Sequence, residues 1–331
     1  MRKLFSRYET FVFIAIVMLG AIITSVNPNF LTLENFLDLF KSYSFVGILA
    51  IGVLFVLVSG GIDISFTATA TVAMYVMAVI VNRYGGNMFT AFLIASVVGI
   101  ILGMFNAIII HYFKIHSIIT TIATLNIYYG LLIVFSGGKW IYCLPTWFRE
   151  FAQVRVFTLT NSMGGEYGLS IITVIWLALL ALAWVILRYT VIGRGVYALG
   201  GNPVSAQRVG FNILRLQLFV YGFMGWLAGV AGVVLTLLVQ SVAPNSIVGK
   251  ELDVLAAVVL GGASLLGGVG TLWGTLLGVI LVATMNNGMT LMRIPAFWYD
   301  VVIGLIIVIS VSASAYQHKK KKNKMIDIEV D

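Results

Sequence analysis

Apolar residues along this chain fall into runs rather than stripes. Ten stretches (about 10–26, 42–58, 64–82, 89–113, 117–136, 169–188, 213–239, 251–266, 270–288 and 297–315) are nearly free of charge. Runs of roughly 17–25 such residues suffice to cross a bilayer core as helices. They lack the apolar/polar alternation of barrel strands. The pattern predicts an all-α polytopic membrane protein, residues 1–331 forming a single transmembrane domain with about ten transmembrane helices. The first run is long, has no small-residue cleavage site after it and leads into NPNF, so it reads as a retained helix rather than a signal peptide.

Composition agrees with the pattern. Hydrophobic residues make up 60% of the chain and charged ones 10%, with a mean hydropathy of +1.05, more apolar surface than a soluble shell can hide. An even number of spans puts both termini on one side, and charge says which. On that side lie 13 of the 20 Lys and Arg residues: Arg2, Lys3, Arg7, Lys114, Arg188, Arg194, Arg208, Arg215, Lys319, Lys320, Lys321, Lys322 and Lys324. Lys41, Arg83, Lys139, Arg149, Arg155, Lys250 and Arg293 lie on the other. The positive-inside rule then places both termini in the cytoplasm of a cell that carries the chain as a multi-pass protein of its inner membrane. The net charge of +8 is mostly this orientation signal. The basic tail, 316–331, reads as an anchor beside anionic headgroups rather than a nucleic-acid surface. The single cysteine, Cys143, excludes an internal disulfide.

Two segments outside the runs are long enough to have structure. Residues 137–168 form an outer cap rich in aromatic and mixed-charge positions. Residues 188–215 fall inside. There Asn202 and Pro203 make a helix start, and VSAQRVG gives about two turns before Gly210. With Gly200 and Gly201 ahead of it, this short helix suits a docking element; an ordinary helical loop satisfies the same spacing.

Glycines recur at four-residue spacing: Gly99 and Gly103, Gly225 and Gly229, and Gly270, Gly274 and Gly278. Such spacing lets membrane helices approach closely. Another glycine pair interrupts the apolar pattern in LVSGGIDIS. Gly60 and Gly61 supply a tight reversal, and Asp63 is placed to accept free N–H groups at the start of the third span. VVLGGASLLGG, near 258–268, echoes this interruption roughly 200 residues later, as internal repeats of transporters do.

Catalytic chemistry is absent. No phosphate-cradling G-x-x-x-x-G-K-[ST] occurs, the Gly-Lys pairs of GGKW and VGKE lacking both flanks of that motif. No His/Cys cluster suggests a metal. An ion-coupled carrier usually needs ionisable groups within its spans, yet Asp63, Glu251, Asp253 and Asp300 all fall near run ends.

VSGGIDIS, YALGGNPVSAQRVGFN, KELDVLAAVVLGGASLLGGVGTLWGTLLG and MNNGMTLMRIPAFWYD together resemble permease subunits of ribose-type ATP-binding-cassette importers, a family that takes up monosaccharides and autoinducer-2. The resemblance covers about residues 45–310. SGGKWIYCLPTWF and LMRIPAFWYD look most like the autoinducer-2 members, with rhamnose-type permeases next. It implies a second permease subunit, two cytoplasmic ATPase subunits and an external substrate-binding protein. ATP would be used by the partner, with no cofactor on this chain. It also makes the inner segment the ATPase-coupling element, with Gly200, Gly201, Asn202, Pro203, Ser205, Ala206, Arg208 and Gly210 as its residues. Phe66, Thr67, Asn106, Asn126 and Asn286 are candidates to line a path for a neutral hydroxylated solute, although hydroxyls and amides inside spans serve equally as helix–helix hydrogen bonds. The rival reading is an ion-coupled secondary sugar carrier.

Overall fold

The computed structural model describes residues 7–161, 164–295, 297–305 and 308. Among them, eight helices are long and apolar enough to cross a membrane. These are α1 (Arg7–Val26), α2 (Leu33–Val58), α3 (Phe66–Tyr84), α4 (Met88–Phe113), α5 (Ser117–Ser136), α7 (Ile171–Tyr189), α10 (Ile213–Val239) and α12 (Leu272–Leu291). Shorter helices fill the connections: α6 (Thr146–Gln153), α8 (Val191–Gly201), α9 (Pro203–Arg208) and α11 (Glu251–Leu260). Polar residues between the apolar runs set the starts. Thr32, Ser170, Asn212 and Thr271 each accept a backbone N–H of the helix they precede, and Asn87 with Thr90 closes a capping box on α4.

One expected span is shorter than its hydropathy suggested. The run 251–266 is helical only over Glu251–Leu260. Ten residues rise about 15 Å, half of a hydrocarbon core about 30 Å thick. The last run is helical over 297–305; residues 306–307 and 309–315, and the basic tail 316–331, lie outside the described residues.

The core gathers on α2 and α10, the most completely buried of the spans. Glycine periodicity shows in the packing. A Cβ at Gly99 would stand 2.0 Å from the Gly225 carbonyl oxygen, and one at Gly229 2.2 Å from that of Ala95. Helices α4 and α10 therefore meet backbone to backbone. Gly274 and Gly278 bring α12 equally close to Gly261 and Ala257 at α11. Large apolar side chains point outward from α1, α4 and α5, as suits a hydrocarbon surround.

The segment 137–168, expected as a cap, contains more than its composition announced. Beyond α6 it forms an antiparallel hairpin of β1 (Arg155–Thr160) and β2 (Glu166–Ser170).

Candidate functional site

Helix α2 ends in a Schellman turn. The Gly60 N–H reaches the Leu57 carbonyl at 2.9 Å and the Gly61 N–H that of Val56 at 3.0 Å, with Gly60 at φ +84°. Residues 61–65 then run without helix alongside the first turns of α5. Side chains satisfy their backbone. The Ile62 N–H donates to Ser117 Oγ at 2.9 Å and the Ile64 N–H to Thr121 Oγ1 at 3.2 Å. Irregular backbone at membrane depth survives only with such partners.

Asp63 lies buried in this segment. Its Oδ1 accepts both the N–H and the hydroxyl of Ser65 at 2.7 Å, Asn106 Nδ2 donates to Ser65 Oγ at 2.7 Å, and the Tyr128 hydroxyl donates to Asn106 Oδ1 at 3.4 Å. The carboxylate thus closes the turn before α3 and anchors a four-residue polar chain across α4 and α5. It does not cap the free N–H groups of α3 itself, because Ser65 stands between. Asn106 is part of this network and fully buried, so its place is a helix-to-helix tie.

The second interruption begins with the same turn. Beyond α11, the Gly262 N–H bonds the Val259 carbonyl at 2.9 Å and the Ala263 N–H that of Val258 at 3.2 Å, with Gly262 at φ +89°. The sequence echo is therefore a repeated helix exit. After it the paths diverge. Residues 264–270 curl back, Ser264 N–H to Val269 carbonyl at 2.9 Å, and Gly268 donates to the Val58 carbonyl at 2.9 Å. The segment 188–215 joins the same junction. A Cβ on Gly200 would lie 1.8 Å from the Val58 oxygen, and one on Gly267 2.8 Å from the Gly200 oxygen. The Tyr197 hydroxyl of α8 adds a 2.7 Å bond to the Gly270 carbonyl. Three segments, 58–61, 197–201 and 267–270, touch through bare backbone.

From that junction α9 projects outward. Asn202 Oδ1 accepts the N–H groups of Val204 and Ser205, both at 3.0 Å, with Pro203 in the first turn. Val204 is 60% and Val209 74% exposed, while Ala206 is 2% exposed. Two of the residues expected to couple to an ATPase are not on the exposed face of α9. Ala206 packs inward and Gly200 is taken up by the junction, so neither presents a contact face; Gly201, Asn202, Pro203, Ser205, Arg208 and Gly210 are exposed. Two exposed valines that sequence reasoning passed over complete the face. Helix α8 was missed as well; its signal was Thr190, whose hydroxyl accepts the Gly193 N–H.

The proposed path residues do not share one place. Asn126 is exposed on α5 and donates to the carbonyl of Ile122 in its own helix, so it lines no interior path. Phe66 is core. Thr67 donates to the Glu251 carboxylate at the start of α11, where the Gly249 N–H also bonds that carboxylate at 3.0 Å. Asn286 does line a cavity, of about 240 Å³, with Tyr43, Lys250, Asp253 and Tyr299. Glu251 and Asp253 looked like run-end charges. They do stand at the start of their run, in the first turn of α11, and are half-buried: Val242, Ala243 and Ile247 of the loop 240–250 are buried, and Asp253 and the exposed Lys250 line the cavity with residues of α2 and α12. Among the described residues no group of His, Cys, Asp and Glu could hold a metal ion.

Comparison with known proteins agrees with this architecture. The family described as "Branched-chain amino acid transport system / permease component" matches residues 35–311. The "Ribose import permease protein RbsC" of Haemophilus influenzae is 33% identical over 299 residues, 90% of this chain and 90% of its own. The "Autoinducer 2 import system permease protein LsrC" of Yersinia pseudotuberculosis is 32% identical over 297 residues, 89% of this chain and 81% of its own. No solved structure matches the chain. A match across nearly all the spans and both helix breaks means that this multi-pass membrane protein belongs to the family of transport-system permease components.

Proposed function

We propose that the chain is the permease subunit of an ATP-driven importer that brings a small, neutral, polyhydroxylated solute, autoinducer-2 or a monosaccharide, into the cell. The observation that carries this reading is likeness over whole length. A ribose import permease aligns along 90% of both chains, so the two share nearly all of their length. The geometry supplies the parts such a machine needs. On this reading both termini and α9 face the cytoplasm, and Val204 and Val209 with Ser205 and Arg208 dock a separate ATPase subunit that hydrolyses the ATP. An external binding protein delivers the solute to the face bearing the cap, and a second permease subunit completes the assembly.

The ion-coupled carrier finds no support in the relatives. Proteoliposomes containing the permease, its ATPase and its binding protein, offered D-ribose, L-rhamnose, autoinducer-2 and L-leucine, test the choice. ATP-dependent accumulation of a sugar-like solute is expected. Uptake driven by a proton gradient without the ATPase contradicts the importer, and uptake of leucine alone contradicts the solute class.

A further inference from the structure

We propose that the cavity bounded by Tyr43, Asp253, Asn286 and Tyr299 is a polyhydroxyl-binding station inside the permease, where the solute pauses between the two faces. This deepens the importer reading and rests on it. The cavity holds about 240 Å³, the space of roughly eight waters in the liquid and the size class of a pentose.

Its walls carry two kinds of chemistry. Two phenols, an amide, a carboxylate and, on its exposed side, an ammonium group and the hydroxyls of Ser42 and Ser246 offer both donors and acceptors. Phe45, Val46, Leu235 and Val254 supply apolar surface for the C–H faces of a ring. Tyr43, Asn286 and Tyr299 come together on this lining from α2, α12 and the helical segment 297–305. The Asp253 carboxylate carries no hydrogen bond among the described residues, and Lys250 is its charged neighbour. Asp253 and Lys250 carry opposite charges, so the lining has no net charge, and a neutral molecule with several hydroxyls meets both as hydrogen-bond partners.

The cavity is also joined to the coupling segment. Asp253 stands in the first turn of α11, and the loop that follows α11 ends against Gly60 and Gly200. A displacement of α9 is therefore carried through one short helix to a wall of the station.

The test uses the complete importer in proteoliposomes with D-ribose, L-rhamnose and autoinducer-2 as probes and L-leucine as control. The parent should move at least one of the three sugar-like probes. Asn286→Leu should lower that uptake by about tenfold, as loss of one hydrogen-bonding group of about 1.4 kcal/mol does. Tyr43→Phe combined with Tyr299→Phe should raise KM several-fold with a smaller change in kcat. Thr290→Ala, one turn from Asn286 and outside the cavity, should leave uptake unchanged. Co-purification with the ATPase reports folding, and if Asn286→Leu fails it the tyrosine pair decides. The station is overturned, with the importer intact, if the parent moves a sugar-like probe and the assembled variants stay within about twofold of it. A parent that moves only leucine overturns the station and the solute class together.

Discussion

The chain breaks its helices at 59–65 and again at 261–271, and different groups hold the two breaks. Both open with the same Schellman turn around a glycine at positive φ, Gly60 and Gly262. After the first, hydroxyls from α5 and the Asp63 carboxylate take up the backbone, and Asp63, Ser65 and Asn106 are all buried. After the second, backbone meets backbone: Gly268 on Val58, Gly267 against Gly60 and Gly200. Side-chain clamps fix a segment to one neighbour with directional bonds. Glycine contacts hold segments mainly by shape, with two hydrogen bonds across the joint, from the Gly268 N–H to Val58 and from the Tyr197 hydroxyl to Gly270. The first break is built as an anchor; the second is built as a joint where the segment bearing α9 touches both breaks.

The largest expected effect comes from filling the joint. Gly200→Ala puts a methyl group on the Val58 carbonyl, 1.8 Å away, and neither backbone can yield without shifting the other. It should cost about 3 kcal/mol or more, read as a large fall in detergent-solubilised melting temperature and loss of uptake. A normal melt and normal transport would show that the three segments do not depend on one another. Asp63 tests the anchor. Asp63→Leu strands a buried N–H and a buried hydroxyl on Ser65 and should destabilise by about 2–3 kcal/mol. Asp63→Asn keeps an acceptor and should cost under ~1 kcal/mol. A stable but transport-dead Asn variant would instead assign the charge a direct part in transport.

Much of this architecture was legible in the sequence, because hydropathy reports which stretches can sit in lipid. It does not report where backbone leaves the helix. That is why 251–266 looked like a span: Gly261 and Gly262 end α11, yet alanines and leucines on either side keep the run apolar. The Gly-Gly echo held the correct answer, and its meaning lay in hydrogen bonding. Polar residues within spans were harder. Asn106, Asn126 and Asn286 look alike in sequence, yet one ties helices together, one faces outward and one lines the cavity. Only the rotation of each helix separates them. Ser117 and Thr121, at i and i+4 on the first turns of α5, carried a readable hint of a shared polar face. Tyr43 and Tyr299 carried none among so many aromatic residues.

The central claim is that α9 and its flank engage an ATPase whose action drives uptake. Its most direct measurement is site-specific crosslinking in the assembled importer. The native thiol is exposed on the cap side and is removed by Cys143→Ser. Val209→Cys should then crosslink to the ATPase in high yield, and the crosslink should form and break with the nucleotide state. Absence of any crosslink from Val209→Cys or Val204→Cys, in a complex that still couples ATP hydrolysis to solute uptake, would contradict the account.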